Sequence, residues 1–270
     1  MRDRGPRRVR VRDPQGRVRD GEVDRGDPAR ISLDGEVVEA LDEETLELPE
    51  PWQLLVPVEA PEVWAAGVTY ERSRDARIEE SRVEDVYSLV YEAERPELFL
   101  KDAAGRRTVG PGGAIAVRSD ATWSVPEPEL ALVLGEGGSP VGVTIGNDVS
   151  SRDIEGANPL YLPQAKIYRA ACALGPAVLV PDDWTEPFEL ELVAFDDRGE
   201  QVFAGATSTA RMRRSFDELV SFLLRDNPVP AGSVLLTGTG LVPPDDFTLL
   251  PGHRVEIRID GIGRLVNTVS

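Results

Sequence analysis

Pro126-Glu127-Pro128-Glu129-Leu130-Ala131-Leu132-Val133-Leu134 is an apolar run with two acids at its mouth. The run has the length of a buried strand. Successive strand side chains point to opposite faces, so Glu127 and Glu129 project to the same side. Proline cannot donate to a ladder, which puts Pro128 at a strand's start or on an edge. A third carboxylate, Asp148, ends the segment Val143-Thr144-Ile145-Gly146-Asn147-Asp148. Three oxygen donors with no Cys or His partner suit a hard ion such as magnesium, manganese or calcium, and argue against zinc. The plainer alternative is that alternating acids mark a strand's wet face. The unbroken apolar run weighs against it, because a carboxylate beside a buried strand is costly unless something neutralises it.

At 270 residues the chain is long enough for one large domain, or one with a small appendage. Apolar content of 41% and charged content of 29% are those of a globular protein, and no stretch approaches the ~20 apolar residues of a membrane span. A net charge of −18 disfavours nucleic acid as a partner, although a bound divalent ion can invert the local sign for an anionic substrate. The single cysteine, Cys172, cannot form an intrachain disulfide, which fits a reducing cytoplasm.

Of 30 cationic side chains, 28 are arginine; only Lys101 and Lys166 are lysine. In that background each lysine is a candidate for a position arginine cannot fill, since lysine is compact and can lose its proton when buried. The alternative is that two lysines survive on the surface by chance. Lys166 lies in the largely apolar Tyr161-Leu162-Pro163-Gln164-Ala165-Lys166-Ile167-Tyr168 and is the stronger candidate.

The N-terminal arginines alternate, Arg8-Val9-Arg10-Val11-Arg12, and the turn Asp13-Pro14-Gln15-Gly16 leads to Arg17-Val18-Arg19, which predicts a hairpin. Asp3, Asp13 and the lack of an apolar signal core speak against a targeting peptide. Short strands and proline-rich turns continue to about residue 57, giving an expected small β-rich N-terminal domain over 1–57 and a catalytic domain over 58–270. Val63 to Tyr70 predicts a buried strand. Val83, Val86, Leu89 and Val90 recur at helical spacing within 71–94. Ser73 and Arg74 fall at that strand-to-helix junction, where side chains can face a cleft. Arg95 to Lys101 predicts another strand with Glu97, Phe99 and Lys101 on one face, by default a solvated one. Strands are expected over 188–194, 201–207 and 234–237, with a capping box Ser215-Phe216-Asp217-Glu218 opening a helix. Arg254–Ile259 and Gly263–Val269 should close the chain as a hairpin. The bend Thr237-Gly238-Thr239-Gly240 can aim backbone N–H groups and a hydroxyl at a carboxylate.

His253, the only histidine, stands in a turn and is expected to be exposed. A Ser-His-Asp or Cys-His device therefore has no imidazole. No phosphate loop or dinucleotide fingerprint is present. Acid–base work falls to Glu, Asp, Lys, Tyr or ion-bound water.

Taken together, Glu127-x-Glu129, Gly146-Asn147-Asp148-Val149-Ser150-Ser151-Arg152-Asp153, Lys166 with Ala173-Leu174-Gly175-Pro176, Thr237-Gly238-Thr239, Pro251-Gly252 and Gly261-Ile262-Gly263-x-Leu265-x-Asn267 resemble the fumarylacetoacetate hydrolase superfamily. The resemblance runs from about Trp64 to the C-terminus. It implies an α+β, β-rich fold: a mixed β-roll catalytic domain with a small β-rich N-terminal domain, assembled as a homodimer or homotetramer. It also implies that Glu127, Glu129 and Asp148 hold Mg2+ (or Mn2+, with Ca2+ a further candidate) and that Lys166 lies by a 2-oxo acid. The carbon–carbon hydrolases of this superfamily carry a lid histidine; the matching segment here, Gly67-Val68-Thr69-Tyr70-Glu71-Arg72-Ser73, has serine at that place. This departure, with Arg95 to Lys101 and Asn158 to Lys166, is similar to the 2-keto-3-deoxy-pentonate dehydratases. The implied reaction converts a 2-keto-3-deoxy-arabinonate or -xylonate to 2,5-dioxopentanoate in pentose breakdown. Lys166 and Glu97 are then the candidate proton carriers, and Ser73, Arg74, Lys101 and Thr239 the candidate substrate contacts. A metal-dependent hydrolase or decarboxylase of acylpyruvate-type diketo acids is the alternative enzyme, and a non-catalytic oxo-acid-binding protein the alternative of another class.

Overall fold

Two β-sheets share the main apolar core of the protein, a computed structural model that describes residues 2–71 and 89–270. Ser73, Arg74, Val83 and Val86 lie outside the described residues. The larger sheet runs, in spatial order, Glu36–Glu39, Arg30–Leu33, Val18–Val23, Arg7–Arg12, Cys172–Leu179, Pro140–Asp148, Pro128–Leu134, Val234–Leu236, Glu62–Gly67 and Glu97–Ala103. Most neighbours are antiparallel; Val234–Leu236 and Glu62–Gly67 run parallel. The second sheet orders Gln201–Ser208, Glu189–Phe195, Arg254–Ile259, Gly263–Val269 and Ala114–Ile115. Both sheets are strand-rich with short helices between them, the fold class the resemblance implied.

The strand Pro128–Leu134 is buried along its whole length and begins at Pro128, where a missing donor costs least. Its alternation assigns two cores. Leu130, Leu132 and Leu134 pack toward the second sheet with Leu190, Leu192, Ile257 and Leu265. Ala131 and Val133 pack on the opposite face with Val63, Ala65, Cys172, Leu174 and Leu236. Glu127 and Glu129 share the parity of that second face, and their neighbours decide what happens at its end.

The expected N-terminal hairpin is present, with Arg7–Arg12 paired to Val18–Val23. It carries a cluster of its own (Val9, Val11, Val23, Ile31, Leu33, Val38) and joins the large sheet where Arg7 pairs Leu179. The helix Phe216–Leu223 starts from Ser215, whose hydroxyl accepts the Glu218 amide at 3.1 Å. The Glu218 carboxylate does not complete a reciprocal box but pairs with Arg214 at 2.5 Å.

One expectation is corrected here. His253 is not exposed but 8% accessible. The Pro251–Gly252 turn folds back on the last strand, where the Gly252 amide donates to Val269 O at 2.9 Å and the Val269 amide to His253 O at 2.8 Å. Among the described residues, no helix is long and apolar enough to cross a membrane.

Candidate metal centre

The register of two strands assembles the acids. Pro128–Leu134 and Pro140–Asp148 are antiparallel, with Pro128 opposite Asn147 and Glu129 opposite Gly146. The Asp148 amide donates to Glu127 O at 2.9 Å, so Glu127 and Asp148 stand across from each other at the end of the ladder. With a period of two, all three carboxylates fall on one face. One oxygen from each of Glu127, Glu129 and Asp148 lies within 4.8 Å of the others, and all three residues are buried. Gly146 keeps the ladder closed beneath them, since a Cβ there would come within 2.3 Å of Leu236 Cδ2.

Each carboxylate is tied down on one side. Arg152 reaches Glu127 Oε1 at 2.7 Å, Lys101 reaches Asp148 Oδ1 at 2.5 Å, and the Gly238 amide donates to Glu129 Oε2 at 2.6 Å. Gly238 has φ +92° and a Cβ there would come within 2.1 Å of Thr69 Oγ1, so only glycine brings its N–H this close. The bend does aim an amide at a carboxylate, and the carboxylate is the protein's own. Lys166 Nζ donates to Glu127 Oε2 at 2.5 Å, Asp148 Oδ2 at 3.0 Å and Ser150 Oγ at 2.6 Å. Lys166 ends the short helix Leu162–Lys166 and its ammonium lies 5.7 Å from the centre of the Phe99 ring.

Burial, followed by the charges of Asp148 and Glu127, pushes the Glu129 carboxyl well above its usual range. The group is short of positive charge. A hard divalent cation meets that need, and the all-oxygen donor set fits magnesium or manganese. Burial likewise pushes the nearby Tyr70 and Tyr168 hydroxyls upward.

A narrow cavity opens onto the triad, lined by Ala66, Gly67, Val68, Glu97, Phe99, Glu155, Lys166 and Thr239 among others. Its free space of about 10 Å³ is on the scale of one water or ion. Val68 sits at φ +51°, an unfavourable backbone for a β-branched residue of the kind found where a site over-determines its geometry.

Most of the expected site residues converge. The face of Glu97, Phe99 and Lys101 is not solvated: Glu97 and Phe99 line the cavity and are partly buried. Glu97 lies over Gly67, where a Cβ would come within 1.9 Å of its carboxylate. Thr239 lines the cavity too. Lys101 differs from its expected place among the substrate contacts. It is 0% exposed, lies behind Asp148, and is not part of the cavity wall. Three participants were missed: Arg152 and Glu155, both on the helix Arg152–Ala157, and the Gly238 amide as a partner of Glu129. Helical spacing places Arg152 and Glu155 three apart on one face, a signal present in the sequence but common to any surface helix.

A family model described as Fumarylacetoacetate (FAA) hydrolase C-terminal matches residues 63–270. A probable 2-keto-3-deoxyxylonate dehydratase of Haloferax volcanii is 56% identical over 216 residues, covering 80% of this chain and 74% of the relative. The 2-dehydro-3-deoxy-D-arabinonate dehydratase of Saccharolobus solfataricus is 46% identical over 219 residues, 79% and 73% of the two chains. A solved 2-keto-3-deoxy-D-arabinonate dehydratase complexed with magnesium and 2,5-dioxopentanoate superposes with a TM-score of 0.85 at 35% identity over 98% of both chains.

Proposed function

The chain belongs to the fumarylacetoacetate hydrolase family, and from that membership we propose a divalent-metal-dependent dehydratase. It converts a 2-keto-3-deoxy-pentonate, arabinonate or xylonate, to 2,5-dioxopentanoate. The observation that carries this reading is Lys166 Nζ set against two carboxylates of the buried triad in a cavity that Glu97 also lines.

Glu127, Glu129 and Asp148 would hold magnesium or manganese, whose Lewis acidity makes the C3 proton of a 2-oxo acid acidic. Lys166 takes that proton. In this structure the Lys166 ammonium is held by Glu127 and Asp148; a divalent cation on those same carboxylates would take up their charge and free the amine to act as the base. Glu97, across the cavity, hands a proton to the departing C4 hydroxyl. One water is lost, and proton shifts along the remaining chain leave the C5 aldehyde. Thr239, with Ser73 and Arg74, holds the substrate's carboxylate or hydroxyls; for the last two the support is the sequence likeness alone. The narrow cavity keeps bulk water from the reacting carbons.

The same reading places the enzyme in the cytoplasm, in pentose breakdown, as a homodimer or homotetramer; a sedimentation run gives the assembly. Purified protein with magnesium and either 2-keto-3-deoxy-pentonate should release a semialdehyde that an aldehyde dehydrogenase oxidises. Pyruvate with a two-carbon aldehyde, or no turnover, rejects the proposal.

A further inference from the structure

Both lysines of a chain with 28 arginines meet at one place. Lys101 Nζ donates to Val149 O at 2.9 Å and to Lys166 O at 2.5 Å, and pairs with Asp148 Oδ1 at 2.5 Å. Two of the ammonium's three N–H donors go to backbone carbonyls, and its charge is paired with the Asp148 carboxylate. The side chain is 0% exposed, and its Nζ lies 5.8 Å from the centre of the Tyr168 ring. It extends from the edge strand Glu97–Ala103, the strand that also carries Glu97 and Phe99 into the cavity. A guanidinium is planar, larger, and spreads five donors over a fork, so it cannot replace this tetrahedral hub.

We infer that Lys101 is a positioning residue that locks the metal ligand Asp148 and the backbone of the base Lys166 into one fixed geometry. The inference rests on the proposed roles of Asp148 and Lys166. It goes beyond them by separating two tasks among the cations: Lys166 faces the cavity, while Lys101 never reaches it. One oxygen of Asp148, Oδ1, is held by Lys101, and the other, Oδ2, accepts from Lys166. The Lys166 carbonyl is held by the same ammonium, which sets where the Lys166 helix ends and hence where its amine lies.

The test turns on a sign. If Lys101 only balances charge, removing it makes the triad more negative and tightens binding of a divalent cation. If it positions Asp148, removing it weakens binding, by about 10- to 100-fold as for other groups that orient metal ligands. Lys101→Met, Lys101→Gln and Lys101→Arg are compared with the parent by titrating Mn2+ and reading the free ion by electron paramagnetic resonance. The expected result is weaker Mn2+ binding in all three, including the arginine variant that keeps the charge, with kcat reduced more than KM is raised. Any of the three that folds, by far-ultraviolet circular dichroism, and binds Mn2+ as tightly as the parent or more tightly overturns the inference. Failure of all three to fold also overturns it, by making Lys101 a residue of the scaffold alone. A parent that binds Mn2+ but dehydrates nothing sinks the functional reading, while the Mn2+ measurements still decide the role of Lys101 toward Asp148.

Discussion

The metal centre and the N-terminal hairpin use the same ionic pairs in opposite settings. At the hairpin end, Arg25 bridges Asp3 at 2.9 Å and Asp182 at 2.6 Å, with all three side chains about half exposed. At the centre, Arg152, Lys101 and Lys166 face Glu127 and Asp148 at similar distances with almost no exposure. Water screens the first set, and each partner is solvated if the other leaves. In the second set no water replaces a lost partner, so removing one leaves a buried charge uncompensated. Similar separations therefore carry very different consequences.

The largest effects are expected at the triad. Glu129→Gln or Asp148→Asn should abolish measurable Mn2+ binding and lower turnover by about a thousandfold or more; a variant keeping a tenth of parental activity would show that the acids are not the ion's ligands. Gly238→Ala forces a Cβ against Thr69 at a positive φ and withdraws the amide from Glu129. Strain and the lost hydrogen bond together should cost about 3 kcal/mol, read as a lower urea midpoint, with weaker Mn2+ binding. Arg152→Met strips Glu127 of its outer partner and should reduce Mn2+ affinity by about tenfold with the fold retained. Cys172 tests how far a buried environment outweighs a neighbouring cation. Burial pushes its thiol up to about 12 although Lys101 pulls the other way, so iodoacetamide at pH 8 should leave the folded protein unlabelled and label it once unfolded in urea. Arg25→Ala, last, should leave the urea midpoint unchanged within error, because an exposed pair adds little.

Much of the centre was legible before any coordinates. Period-two alternation put Glu127 and Glu129 on one side, and Pro128 marked the strand's first residue. The scarcity of lysine flagged both lysines, though it could not say that one would face the cavity and the other stand behind it. The default reading of Glu97, Phe99 and Lys101 as a solvated face failed because that strand is laid against the helix ending at Lys166. His253 failed for a related reason: its turn pairs with the chain's last strand, a contact about 16 residues away that no local pattern announces.

Residue order and alternation were enough to specify the strands, the parity of the acids and an oxygen-only donor set, because these follow from neighbours a few positions apart. Which cation serves which carboxylate, why Gly238 must be glycine, and which lysine reaches the cavity came from contacts between residues 18 to 169 positions apart. Those depend on strand register and on where the backbone carbonyls of Val149 and Lys166 end up. Such positions are set by the packing of whole sheets, and nothing in a local stretch of chain encodes them.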